Sequence, residues 1–195
     1  MNKAFVASHT CTFCNSFELI LSTILQHSEI DFTLVTIFNV LFMKKKSAGI
    51  LVYRFNNQNK VEVLLVHPGG PFWKGKETGA WSIPKGEFAD EEDSIAAARR
   101  EFMEETGQEV EGEFLPLSPI KQKAGKMVYA WAVETEIDAD NIVSNSFKME
   151  YPYKSGKWIN VPEVDKAQWF AVEEAREKIN PAQAAFLEEL VSMVE

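Results

Sequence analysis

The chain is 195 residues long, 46% hydrophobic and 25% charged, with 10 glycines, 8 prolines and 2 cysteines. That composition excludes collagen-like repeats, coiled-coil arrays and bulk disorder, and the length suffices to bury a core without disulfides. A net charge of −9 disfavours nucleic acid and anionic membrane surfaces as partners, so a phosphate-bearing ligand has to be met by local cations.

Residues 1–42 differ from the rest: they hold no Gly, Pro, Trp, Tyr or Arg, one Lys, and 6 of the 14 Phe. Glu18, Gln26, His27, Glu29 and Asp31 interrupt the apolar run that a secretory signal needs. The apolar stretch Phe32–Phe42 is 11 residues, against about 20 for a membrane span. The expectation is therefore an atypical hydrophobic extension outside the folded unit, or a natural start at Met43, with the domain running over 43–195. Cys11 and Cys14 form a C-x-x-C, but a closed zinc site needs two more ligands and no second pair exists. Two reduced thiols in a cytoplasmic chain are expected instead.

Beyond Met43, Ala48–Phe55 and Val61–His67 are aliphatic and β-branched runs separated by Asn56-Asn57-Gln58-Asn59, which predicts a hairpin. Residues 68–79 are too rich in Gly and Pro for a regular element and read as a loop. Ala80–Pro84 reads as a short strand. A helix is expected from a cap at Asp90 or a neighbour to about Thr106, closed by Gly107 in the left-handed conformation. Val110–Leu115, Ile120–Gln122, Met127–Glu134 and Lys166–Phe170 read as further strands. Two helices follow, Val172–Ile179 and one capped by Asn180 with Pro181 first and a stripe of Phe186, Leu187, Leu190, Val191 and Val194. Dispersed helices among more numerous strands predict an α+β sandwich with a mixed sheet between helices.

The chemistry concentrates on the helix before Gly107. Glu101, Glu104 and Glu105 fall within an arc of about 100° on one face. Their mutual repulsion is relieved by a cation, and oxygen donors without His or Cys select Mg²⁺ or Mn²⁺. Arg100, four residues before Glu104, is placed to pair with it. Ala97 and Ala98, one turn earlier, are expected to leave low, open surface for a ligand. Gly86 permits a turn that a side chain would obstruct, and Lys85 is a candidate phosphate contact.

From Gly86, five residues lead to Glu92, seven more to Arg100, then Glu101-Phe102-Met103-Glu104-Glu105-Thr106-Gly107. This resembles the signature of the Nudix hydrolases at every fixed position except the last, where Gln108 replaces an aliphatic residue and Val110 is expected to fill the space. The resemblance implies an α/β/α sandwich and hydrolysis of a nucleoside diphosphate linked to another moiety. It implies that Glu101, Glu104 and Glu105, supported by Glu92, bind Mg²⁺, with Arg100 orienting them. A glutamate accepts the proton of the attacking water, with Glu101 expected and Glu150 as the outsider.

The runs His67–Trp73 and Trp81–Gly86 look like those of Nudix nucleoside triphosphate pyrophosphohydrolases and asymmetric diadenosine tetraphosphate hydrolases. The implied substrate is a small nucleotide, a dinucleoside polyphosphate or NTP. The alternatives are an ADP-ribose-like nucleotide sugar and a sensor that binds without cleaving. Phe72, Trp73 and Trp81 are candidates to stack on a base, and Lys74, Lys76, Lys85, Lys154 and Lys157 to meet phosphates. Gly86 joins them as a point of close approach. Tyr129 is expected to be a strand residue facing the core. No sequence signal favours or opposes self-association.

Overall fold

The structure, a computed structural model, describes residues 45–122 and 125–194. The C-x-x-C at Cys11 and Cys14 and the expected extension lie outside the described residues.

Five strands form the path of one sheet: β1 (Lys46–Phe55), β2 (Val61–Pro68), β4 (Leu115–Lys121), β5 (Met127–Glu134) and β8 (Val164–Ala171), in the order β4-β5-β1-β2-β8. β3 (Lys85–Phe88) pairs with β1 as a sixth strand, and β6 (Ser146–Glu150) with β7 (Trp158–Pro162) makes a separate two-stranded hairpin. β1 and β5 run parallel while the other pairs are antiparallel, so the sheet is mixed. Helix α1 spans Ser94–Thr106, α2 Val172–Lys178 and α3 Ala184–Val194.

Strand periodicity sends alternate side chains to opposite faces. Ala48, Ile50 and Val52 of β1 pack with Ala97, Ala98 and Phe102 of α1. Leu51 and Tyr53 pack on the other side with Ala175 of α2 and Phe186, Leu187 and Leu190 of α3. The result is the expected α/β/α sandwich. It also corrects one expectation: Ala97 and Ala98 are fully buried. Their small side chains let α1 sit close to the sheet and leave no open surface for a ligand.

One edge of β1 is shared by two strands. Residues Tyr53–Phe55 pair with β2, whereas Lys46–Gly49 pair with β3. Between them the chain of residues 82–84 enters the sheet: Ile50 N–H donates to Pro84 O at 3.1 Å, and Val66 and Ser82 exchange two backbone bonds of 2.9 Å. The strand expected at Ala80–Pro84 is therefore displaced to Lys85–Phe88. Residues 81–82 make only isolated bridges, and Pro84 has no N–H for a ladder.

The strand expected at Val110–Leu115 begins only at Leu115, after Gly112 at φ +140° has turned the chain. β4 tolerates Pro116 and Pro119 because it lies at the sheet edge, with an irregularity between Leu117 and Ile120. Asn180 caps a short 3₁₀ turn, Pro181–Gln183, rather than α3 itself. Tyr129 is half-buried and meets Phe88 edge-on at 5.9 Å. No helix among the described residues is long and apolar enough to cross a membrane.

Candidate active site

α1 carries the carboxylates, and its ends are fixed by its own sequence. Asp93 caps the first turn, its side chain accepting from Ala96 N–H at 3.1 Å. Gly107 ends the helix at φ +73°, its N–H returning to Met103 O at 2.8 Å. A side chain at 107 would be strained there and would press on Val143. Gln108, the departure from the aliphatic signature position, has a task of its own. Its amide donates to Asp138 O at 2.8 Å and accepts from Asp138 N–H at 3.0 Å, while Val110 is buried beside α1.

Arg100 is the hub of the acidic face. It donates to both oxygens of Glu92, at 2.9 and 3.1 Å, to Glu101 Oε1 at 2.7 Å and to Glu104 Oε1 at 3.2 Å. These bonds keep the guanidinium charged and hold the Glu92 carboxyl below its ordinary range. Glu92 thus sits on the far side of Arg100 as its bidentate partner. Glu101 is buried and lies directly over Gly86, where any Cβ would fall on its carboxylate. This approach is the physical reason for glycine at that position.

Burial pushes the Glu101 carboxyl up; Arg100 opposes, while the charges of Glu104 and Glu163 add to the rise. Glu105 Oε2 accepts from the backbone N–H of Lys85 at 2.9 Å. Burial raises the Glu105 carboxyl to about 7, against the Lys85 charge and N–H, with Glu101 and Glu163 pushing the same way. Glu163, between β7 and β8, is thus a fourth carboxylate facing the cluster. Its residue type and isolated position gave no signal in the sequence; the fold brings it there through Glu163 N–H to Asn145 O at 2.8 Å, with Asn145 N–H itself bonded to Glu104 O. Glu150 is spent elsewhere, accepting from Gly156 N–H at 2.6 Å within the hairpin turn.

The carboxylates fit a divalent ion by chemistry. Their donors are all hard oxygens, and a cation would offset both the burial that raises Glu101 and Glu105 and the smaller push from the neighbouring carboxylates. Among the described residues no three such side chains converge into a closed cage. Mg²⁺ needs none, because it keeps waters and binds through one or two carboxylates and substrate phosphates.

The aromatic candidates divide. Phe72 and Trp73 are 55% and 38% exposed, and Lys74 beside them is exposed. Phe72 meets Tyr151 of the hairpin edge-on at 5.8 Å, and Lys76 Nζ lies 5.3 Å from the Trp73 ring. Trp81 is a correction: it is fully buried among Phe170, His67 and the α2–α3 side of the core, its N–H donating to Glu77. No face of that ring is left for a base. Lys85 is half-exposed and holds Glu105 through its backbone. His67 anchors the loop, its ring within 2.9 Å of Asp165 Oδ1 and 2.7 Å of Lys76 O.

The NUDIX domain model matches residues 43–190, which takes in the whole carboxylate helix, Gly86 and Glu163. The chain belongs to the Nudix family. As a Nudix hydrolase it acts on phosphoanhydride bonds. Its fold is similar to that of a C. elegans Ap4A hydrolase binary complex at 22% identity and a TM-score of 0.53, over 76% of this chain and 97% of that one. It is also similar to the NUDIX domain of Shewanella oneidensis NrtR complexed with ADP ribose, at 15% identity and 0.55, over 78% and 89%. A mutT/nudix family protein from Listeria innocua aligns at 15% identity and 0.51, over 77% and 93%. No curated protein matches the sequence.

Proposed function

We propose that this Nudix hydrolase is a Mg²⁺-dependent, cytoplasmic pyrophosphohydrolase of a dinucleoside polyphosphate or NTP, its folded unit beginning near residue 43. The observation that carries the reading is the gathering of Glu101, Glu104, Glu105 and Glu163 around one end of α1, with Arg100 as their organiser. Glu101, Glu104 and Glu105 would hold the ion. When bound, it supplies Lewis-acid polarisation of the phosphoryl oxygens and an acidified water.

The chain's own groups do the positioning. Arg100 fixes the rotamers of Glu101 and Glu104, and Glu92 fixes Arg100 from behind, so the carboxylates are oriented before substrate arrives. Lys85 brings positive charge beside Glu105 at the start of the strand that crosses below α1. We assign proton acceptance to Glu163 rather than to Glu101 or Glu150. Glu101 is covered by Gly86 and tied to Arg100, and Glu150 is bound in its own turn, whereas Glu163 is exposed and faces the cluster. A sensor without turnover has no use for these carboxylates, which favours the enzyme.

The test is a substrate screen of the full chain with Mg²⁺ or Mn²⁺ against diadenosine polyphosphates, NTPs and ADP-ribose, with E104Q and E105Q in parallel. Cleavage of a dinucleoside polyphosphate or NTP is expected, with turnover lowered by about two orders of magnitude or more in either variant at unchanged fold. Full activity in both variants and in the E104Q/E105Q double variant made alongside them, or activity without a divalent ion, overturns the assignment.

A further inference from the structure

The hairpin of β6 and β7 is unlike the rest of the molecule. Residues 146–162 hold three lysines against one glutamate, and four aromatics, in a chain whose net charge is −9. Its aromatics are also turned outward: Trp158 is 66% exposed, Tyr153 77% and Phe147 44%. Large exposed aromatics grouped with cations mark a binding surface more often than chance exposure does.

The pairing register shows what one face presents. Lys148 stands opposite Asn160 and Glu150 opposite Trp158, so these four share a face. Lys148, Trp158 and Asn160, with Ile159 at the edge, line an open cleft of about 650 Å³. Asn160 is held by its bond to Ser146 Oγ at 2.8 Å, and the Glu150 carboxylate is turned to the Gly156 N–H. The cleft therefore offers an aromatic ring, an ammonium and a carboxamide. The opposite face packs Val161 over Gly70 of the 68–79 loop.

We propose that this face is the platform for the second nucleoside of a dinucleoside polyphosphate, with Trp158 stacking on its base and Lys148 meeting its phosphate chain. The inference rests on the phosphoanhydride hydrolase reading and selects between its two substrates. Three observations single out that occupant. The hairpin is cationic where the chain is acidic, which suits a polyanion. It is continuous with the carboxylate cluster, because Glu163 follows directly on β7. Trp158 lies four residues of strand, about 13 Å, from Pro162 at the site end. A mononucleotide has a single base, joined to the attacked phosphorus by one ribose and a short phosphate chain, and has no second base to place there. A dinucleoside polyphosphate has further phosphates and a second ribose to cover that distance.

The experiment compares steady-state kinetics of the full chain, W158A, W158F and K148A on diadenosine tetraphosphate and on ATP, with thermal melting to verify the fold and size-exclusion chromatography to follow assembly. For W158A the ratio of kcat/KM on diadenosine tetraphosphate to that on ATP is expected to fall about tenfold, through KM rather than kcat. W158F restores the ratio to within about twofold, and K148A lowers it in the same direction. Equal losses on both substrates, or no change in the ratio, overturn the proposal while leaving the hydrolase reading in place. A change of oligomeric state in W158A overturns it too, in favour of a contact between copies. If the unsubstituted chain cleaves neither compound, it is the hydrolase reading that fails.

Discussion

At the scale of single residues, the site is a problem in crowded charge. Glu101, Glu104 and Arg100 were legible from helical spacing alone, since positions one turn apart must share a face. Glu163 was not, because nothing in Val161-Pro162-Glu163-Val164 distinguishes it from a surface acid; only the return of the chain along 143–145 brings it to α1. Trp81 misled for the opposite reason. Its place next to a Gly- and Pro-rich loop made it a candidate to stack on a base, yet its ring fills the gap between His67 and Phe170. The assignment of Glu163 gives a prediction at this scale: E163Q should lower kcat roughly a hundredfold with little effect on KM, whereas E150Q should stay close to the parent. Stopped assays over a range of substrate concentration decide it, and the reverse ranking would give the role to Glu150, the outsider of the sequence reading.

Among elements, α1 is held by its buried face of Ala97, Ala98 and Phe102 and is closed by its C-terminal glycine. The G107A substitution forces an ordinary side chain to φ +73° and presses it against Val143, so a loss of about 1–2 kcal/mol is expected from urea unfolding. Activity should fall as well, because Val143 and Asn145 are bonded to the last turn of α1 and lead on to Glu163. Long aliphatic strands and capped helices were readable in the sequence. The β6–β7 hairpin was not, since its strands are five residues each and exposed, and carry no aliphatic run. β4 was half-hidden by its two prolines, which argue against a strand until its edge position is known.

Over the whole molecule, one surface group ties three segments together. Glu77 accepts from Lys166 of β8 at 2.9 Å, from Lys178 of α2 at 3.1 Å and from the Trp81 N–H at 3.1 Å. Those partners, Lys166 first, lower its carboxyl to about 2. A depressed carboxyl stabilises the fold above its ordinary range near 4.5 and loses that contribution as pH falls toward 2. The melting temperature of E77Q should therefore decline less steeply than that of the parent between those limits, the effect being modest for so exposed a group. Identical acid limbs would show that the three contacts do not persist in solution.

The segment of residues 82–88 gives the molecule a mechanical bias. Residues 82–84 are wedged between β1 and β2, and residues 85–88 continue along β1, so the glycine under Glu101 is bonded into the framework through β1. The amides of this segment that bond to β1 and β2 should resist deuterium exchange longer than those of the 68–79 loop. Phe72 of the 68–79 loop and Tyr151 of the hairpin, by contrast, meet only edge to edge through their rings, a contact that costs no framework backbone bond to break.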